Sequence, residues 1–120
     1  MNKAVVVIVG LIIIVLAVGT YTMFFSKPTG QLTGKDAFAQ CITEKGATFY
    51  GAEWCGYCDR QKALLGNSMQ YINYVECPQN QDLCNRMGVQ AYPTWIINGQ
   101  KYTGVKTLQE LAQLTGCSLS

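Results

Sequence analysis

The chain has 120 residues, and its nine Lys and Arg against seven Asp and Glu leave a formal charge of +2. This length allows one small domain with at most an appendage, and so slight a positive charge excludes the clustered basic face of a nucleic-acid-binding protein. The sequence has no histidine, which excludes His-based catalysis, c-type haem attachment and most zinc sites, so six cysteines carry most of the available chemistry.

The first predicted element is an uncharged apolar segment from Ala4 to Phe25. A helix over these 22 residues would be roughly 33 Å long, enough to cross a hydrocarbon core of about 30 Å. A cleaved signal peptide is the alternative, with Ala17-Val18-Gly19 as its cleavage site. The apolar run of such peptides is only roughly 7–15 residues long. We therefore predict a transmembrane signal-anchor over residues 1–26.

The position of the remaining chain relative to the membrane follows from charge and cysteine content. Lys3 precedes the apolar segment, and Lys27 and Lys35 follow it, so the positive charges do not decide the orientation. An even number of cysteines at disulfide-compatible spacings suits an oxidising compartment. We therefore predict a cytoplasmic N-terminus, a linker over 27–34, and a domain over 35–120 on the extracytoplasmic side, periplasmic or external.

Helices and strands alternate through this domain. Capping boxes at Thr33–Asp36 and Thr107–Glu110 predict helix starts, and Asn98-Gly99 predicts a tight hairpin. The order implies an α/β fold with a mixed four-stranded sheet and helices on both faces. In chain order we predict a helix after Thr33 that stops near Gly46, a strand over Ala47–Tyr50, a helix over Cys55–Leu65, a strand over Ile72–Glu76, a helix over Asp82–Met87, a strand over Thr94–Ile97, a returning strand over Gln100–Tyr102, and a helix from Thr107 to Gly116.

The motif Cys55-Gly56-Tyr57-Cys58 lies where the first strand gives way to a helix. A cysteine at a helix N-terminus faces unpaired N–H groups and the positive end of the helix dipole, which favour its thiolate. Cys58 lies one turn further on and can close a disulfide with it. We therefore predict that Cys55 attacks a substrate and that Cys58 resolves the mixed disulfide. A zinc half-site, for which Cys77 and Cys84 are poorly spaced, and a purely structural disulfide are the alternatives.

Several stretches between about Asp36 and Cys117 resemble known proteins. Glu53 to Cys58, with Tyr92-Pro93-Thr94 further on, resembles the thioredoxin family. The full set resembles the thioredoxin-like domain fused to, or partnering, bacterial and plant homologues of vitamin K epoxide reductase. It comprises Tyr50-Gly51-Ala52, Trp54-Cys55, Gln61-Lys62, Tyr74-Val75-Glu76-Cys77, Leu83-Cys84 and Tyr92-Pro93-Thr94-Trp95-Ile96-Ile97-Asn98-Gly99.

This resemblance implies a thioredoxin-like fold and a cis peptide bond at Pro93, which would expose a backbone edge to a substrate chain. It also implies that the domain passes a disulfide to substrate proteins and is reoxidised by a membrane partner. Gly56-Tyr57 stands where Pro-His is common, which implies a milder oxidant. Phe49 stands where thioredoxins carry a buried carboxylate, so the proton acceptor for Cys58 is unidentified; Glu53 is either that acceptor or a solvated neighbour.

The other four cysteines are candidates for structural disulfides. Cys77 and Cys84 bracket a short polar loop and most simply form a local disulfide, a pairing that the resemblance also implies; a second redox couple is the alternative. Cys41 and Cys117 either pair with each other, remain as free thiols, or, through Cys117, bridge to another chain.

Aromatic residues around the motif are candidates for substrate binding. Trp54, Tyr57, Tyr92 and Pro93 would form an apolar rim beside the two thiols, with Trp54 exposed at the surface. Trp95 lies inside a predicted strand, so we expect it in the core.

The sequence and the resemblance together predict a membrane-anchored thiol–disulfide oxidoreductase acting on extracytoplasmic cysteine-containing proteins. By resemblance it is an oxidant recycled by a membrane partner of the vitamin K epoxide reductase type. We expect no cofactor, no metal and no nucleic-acid partner. A reductase or isomerase kept reduced by a transmembrane electron donor is one alternative, and a non-catalytic binding or assembly module is another.

Overall fold

The computed structural model describes residues 2–25 and 33–119, which divide into two compact units. The first is helix α1, Lys3–Phe25. Its part from Lys3 to Tyr21 is long and apolar enough to cross a membrane, a property that a signal sequence shares. The predicted apolar helix is therefore present. Most of the predicted linker, up to residue 32, lies outside the described residues.

The second unit contains a four-stranded sheet in the order β2-β1-β3-β4. Strand β1 is parallel to β2 and antiparallel to β3, and β4 is antiparallel to β3. The predicted mixed sheet is confirmed. The elements are α2 Gly34–Glu44, β1 Ala47–Gly51, α3 Gly56–Leu65, β2 Asn73–Glu76, α4 Gln81–Arg86, β3 Thr94–Ile97, β4 Gln100–Thr103 and α5 Leu108–Thr115.

Local sequence explains most of these boundaries. Thr33 and Thr107 each accept a hydrogen bond from the backbone three residues on, and both capping boxes are complete. Gly66 and Gly116 end α3 and α5 with positive φ angles of 56° and 76°, which a side chain would oppose. The capping and glycine signals therefore locate these helix ends to within a residue or two.

Two short 3-10 helices, Gly66–Tyr71 and Cys77–Gln79, were not predicted. Long-range contacts with α2 hold the first one: the Ser68 hydroxyl donates to Asp36, and the Thr43 hydroxyl donates to the carbonyl of Tyr71 at 2.9 Å. Hydrophobic periodicity cannot reveal a segment whose conformation depends on contacts so distant in the sequence.

The strand register places buried side chains on both faces of the sheet. Phe49 and Trp95 are paired neighbours on one face, where the main core includes residues of α2, α3 and α5. Tyr50 and Ile96 lie on the other face, in a smaller cluster with Cys77 and Cys84 beside α4. Helices thus cover both faces as predicted, although unequally.

Two disulfides hold the edges of this unit together. Cys41 on α2 is bonded to Cys117, just after α5, with a Cα–Cα distance of 6.0 Å. Cys77 is bonded to Cys84 on α4, with a Cα–Cα distance of 5.8 Å. The structure therefore selects the paired arrangement for Cys41 and Cys117 over two free thiols or an intermolecular bridge.

We predict that the two disulfides stabilise the fold unequally. Cys41 and Cys117 are 76 residues apart, and Cys77 and Cys84 only seven. The entropy of the unfolded chain falls more when a longer loop is closed. C41A/C117A should therefore lower the free energy of unfolding by about 4–5 kcal/mol and C77A/C84A by about 2–3 kcal/mol, as measured by urea titration. Equal losses, or a larger loss in C77A/C84A, would contradict this.

Candidate active site

Cys55 is the N-cap of helix α3. Its backbone is extended, and its Sγ accepts a hydrogen bond of 3.1 Å from the backbone N–H of Cys58. A cap at this position directs the sulfur toward the unpaired N–H groups of the first turn, where the helix dipole favours negative charge. Only 7% of Cys55 is exposed, so a disulfide partner has little open surface through which to reach this residue.

Cys58 lies one turn deeper and is completely buried. Cys55 and Cys58 are both free thiols in this structure. Burial and, to a smaller extent, the hydrogen bond with Cys55 together raise the pKa of the Cys58 thiol to about 12. Cys58 is therefore a neutral thiol at physiological pH and has to lose a proton before it can attack a disulfide.

Three of the four residues predicted to form the aromatic rim, Tyr57, Tyr92 and Pro93, line one groove. The groove has a volume of about 430 Å³ and is lined by Tyr57, Arg60, Tyr92, Pro93, Gly104 and Val105. The Tyr92–Pro93 peptide bond is cis, as the resemblance implied. Trp54 is 74% exposed and meets Tyr92 edge-on, with 5.9 Å between ring centroids. These surfaces can receive an extended apolar chain.

Phe49 fills the core position where thioredoxins carry a carboxylate. It is completely buried, stacks on Trp95 with 5.1 Å between ring centroids, and meets Tyr74 at 5.0 Å. Trp95 is buried as expected. The space beneath the two thiols is therefore aromatic and contains no carboxylate from β1.

Tyr74 and Glu76 on β2 form a hydrogen-bonded polar pair beside the two thiols. The hydroxyl of Tyr74 donates to Oε2 of Glu76, and Oε1 of Glu76 accepts from the backbone N–H of Glu53 at 2.8 Å. Burial and the neighbouring Glu76 raise the pKa of Tyr74. Glu53, the acceptor considered from the sequence, is exposed and enters this network through its backbone.

Gln61 fixes helix α3 against the rest of the unit. Its buried side chain donates to the carbonyl of Lys106 at 3.0 Å. Its oxygen accepts from the backbone of Lys106 at 2.7 Å and from the indole of Trp95 at 3.0 Å. Both polar atoms of this buried amide are thus paired, which fixes the middle of α3 relative to β3.

Sequence reasoning identified the two thiols and the rim but missed Tyr74, Glu76 and Gln61 as members of the site. Tyr74 and Glu76 follow the motif by many residues and reach it only because β2 lies parallel to β1, with Gly51 opposite Glu76. The sequence shows that Tyr74 and Glu76, two residues apart on a predicted strand, lie on the same face of the sheet. It does not show the register of this strand with β1.

Comparison with known proteins agrees with this architecture. The family model described as thioredoxin matches residues 31–116. "Thiol-disulfide oxidoreductase LTO1" of Arabidopsis thaliana is 38% identical over 92 residues, which are 69% of this chain and 24% of that protein. "Protein disulfide isomerase-like 2-2" of Oryza sativa subsp. japonica is 33% identical over 79 residues, 54% of this chain and 21% of that protein. The chain thus spans about a quarter of the length of these relatives or less.

Several solved structures are also similar. Among them, the solution structure of the oxidised thioredoxin from Plasmodium falciparum has a TM-score of 0.45 and 20% sequence identity. The match covers 66% of this chain and 86% of that one.

We predict that Cys58 makes stability fall at alkaline pH. An unfolded Cys58 ionises near its ordinary pKa of 9.0, whereas the folded thiol keeps its proton up to about 12. The unfolded state then binds fewer protons, so the free energy of unfolding falls as pH rises between these values. In a Cys55→Ser background, which prevents pairing of the two thiols, urea unfolding at pH 8 and pH 10 should show this loss.

The matched control is C55S/C58S, which lacks the titrating thiol. C55S should lose about 1 kcal/mol more than this control between the two pH values, since one pKa unit corresponds to about 1.4 kcal/mol. Parallel losses in the two variants would show that Cys58 ionises as easily in the fold as outside it.

Proposed function

Because the chain belongs to the thioredoxin family, we propose that it is a thiol–disulfide oxidoreductase acting through Cys55 and Cys58. The observation that carries this proposal is the pair of free thiols at the start of α3, one capping the helix and the other buried behind it. Relatives named thiol-disulfide oxidoreductase and protein disulfide isomerase-like support it.

The proposed exchange begins with an oxidised Cys55–Cys58 pair. A substrate thiolate attacks Sγ of Cys55, the Cys55–Cys58 bond breaks, and Cys58 leaves as a thiolate that takes up a proton. A second substrate thiolate then attacks the substrate sulfur of the mixed disulfide and releases Cys55. The substrate loses two electrons and two protons, and the enzyme becomes the dithiol. Trp54, Tyr57, Tyr92 and Pro93 hold the substrate chain beside Cys55 during these steps.

The proposal includes membrane attachment and a direction. Helix α1 serves as a single-pass anchor, which its apolar stretch from Lys3 to Tyr21 supports. The domain lies on the extracytoplasmic side, where two structural disulfides would persist. There the protein oxidises cysteine-containing proteins and is itself reoxidised by a membrane partner of the vitamin K epoxide reductase type, as the sequence resemblance implies.

Two alternatives differ from this in direction or chemistry. A reductase or isomerase would use the same thiols but be kept reduced by a transmembrane electron donor. A binding or assembly module would use the groove alone. The capped Cys55 and the buried Cys58 favour exchange over simple binding, because a binding module has no use for two free thiols held at a helix N-terminus.

We predict that Cys58→Ala traps substrates. When Cys55 attacks a disulfide of a substrate or of the membrane partner, the resulting mixed disulfide cannot be resolved from within the enzyme without Cys58, so covalent complexes should accumulate in cells. They would be seen as reducible high-mass bands on non-reducing gels and identified by mass spectrometry. Cys55→Ala is the matched control and should trap nothing. An absence of bands from Cys58→Ala would favour the binding module.

We predict that Cys55 in intact cells is oxidised and faces the outside. A membrane-impermeant maleimide should label the Cys55 peptide only after an impermeant phosphine reductant is added to the cells, because an oxidised pair has no free thiol. Labelling before reduction would instead identify a reductase or isomerase outside. Labelling only after lysis would place the domain in the cytoplasm.

A further inference from the structure

Resolution of a mixed disulfide requires Cys58 to lose a proton that cannot pass straight to water. Its side chain is completely buried, and burial raises its pKa to about 12. Phe49 occupies the neighbouring position on β1 and offers no acceptor. The proposed reaction therefore needs a polar group that reaches the buried sulfur from another element.

Tyr74 is the group that approaches Cys58 from β2. Gly51 lies between them: a Cβ built on it would be 3.0 Å from Sγ of Cys58, 3.2 Å from Cε2 of Tyr74 and 3.4 Å from its hydroxyl. Because residue 51 is glycine and has no side chain, the sulfur of Cys58 and the phenol ring of Tyr74 can both lie close to its Cα. The Tyr74 hydroxyl donates its hydrogen bond away from Cys58, to Oε2 of Glu76.

The groups that surround this pair come from α3, from the residues just before it and from β2. Lys62 of α3 lies over the Tyr74 ring, with Nζ 4.5 Å from the centroid. Glu53 precedes the motif and contributes its backbone N–H to Glu76, while Cys55 lies at the start of α3. Among the described residues around Cys58, Glu76 is thus the carboxylate that is hydrogen-bonded into the network. It is also partly exposed and can exchange a proton with solvent.

We propose that Tyr74 and Glu76 form the proton relay of Cys58, with Glu76 as the terminal acceptor. The inference rests on the proposed thiol–disulfide exchange. As Cys58 attacks Sγ of Cys55, the Cys58–Cys55 bond forms and the bond from Cys55 to the substrate sulfur breaks. The substrate leaves as a thiolate. The Cys58 proton passes to the oxygen of Tyr74 while the Tyr74 hydroxyl proton passes to Glu76, and Glu76 then releases it to water.

The chemistry of each group suits this relay. A tyrosine hydroxyl can accept one hydrogen bond while donating another, and its raised pKa keeps Tyr74 neutral with its proton in place. A positioned general base contributes roughly 10²–10⁴-fold to the rate of a proton-transfer step. In the oxidising direction the same path returns a proton to the departing Cys58 thiolate.

The relay is tested with the full chain in detergent, reduced at Cys55 and Cys58 and mixed with excess dithiobis-nitrobenzoate in a stopped-flow instrument. Attack by Cys55 releases one coloured thiolate in a phase that depends on reagent concentration. Resolution by Cys58 releases a second in a phase that does not. The second phase isolates the step in which Cys58 loses its proton.

The relay predicts that Tyr74→Phe and Glu76→Gln both slow the second phase at least tenfold at pH 7. The first phase should change less than threefold. The deficit should shrink as pH rises, since hydroxide can then remove the proton, and Glu76→Asp should recover part of the rate. Tyr102→Phe, on the far edge strand, and Glu44→Gln, at the exposed end of α2, are matched controls for the loss of a hydroxyl and of a carboxylate.

Three results would overturn the relay: an unchanged second phase in Glu76→Gln, equal slowing in the controls, or slowing by Glu53→Gln in place of Glu76→Gln. If Tyr74→Phe fails to fold, Glu76→Gln decides, because Glu76 is at the end of an edge strand and only partly buried. Absence of the first phase in the unsubstituted protein would refute the exchange function itself, which distinguishes the two failures.

Discussion

The architecture depends on the hydrogen bond between the sulfur of Cys55 and the backbone N–H of Cys58. It makes the reactive residue the cap of α3, so the same contact begins the helix and places the sulfur against the helix dipole. Any movement of α3 would disturb this geometry, and buried Gln61 opposes such movement by bonding α3 to Trp95 and to the backbone of Lys106. The site is therefore held both by the core strand β3 and by the backbone just before α5.

Much of the fold was predictable because its boundaries depend on short-range signals. Thr33 and Thr107 accept capping bonds from residues three positions on, and Asn98-Gly99 adopts the positive φ angles of a tight hairpin. The 3-10 segment after α3 was missed because Ser68 is held by Asp36, a residue far away in the sequence. Local patterns specify the ends of elements but not the long-range contacts that bend the chain between them.

The cysteines show the same division between local and long-range information. Cys77 and Cys84 could be predicted to pair because only a short loop separates them, and the structure contains this disulfide. Cys41 and Cys117 could be assigned only when α2 and the end of α5 were placed side by side. Cys55 and Cys58 could be predicted as a reactive pair from their spacing and from the helix start, because the chemistry expected of them is contained within one helical turn.

The departure at Phe49 links the core to the chemistry. An aromatic side chain there stacks on Trp95 and packs against Tyr74, which stabilises the sheet but removes the carboxylate that thioredoxins place beneath the second thiol. A buried thiol with no polar outlet would ionise too rarely to resolve a disulfide quickly. Side chains two residues apart on a strand share a face, so Tyr74 and Glu76 can be hydrogen-bonded to each other. Tyr74 lies beside Gly51 and the sulfur of Cys58, while Glu76 is partly exposed to solvent. The absent carboxylate on β1 is thus compensated on the neighbouring strand, without a charge being buried in the core.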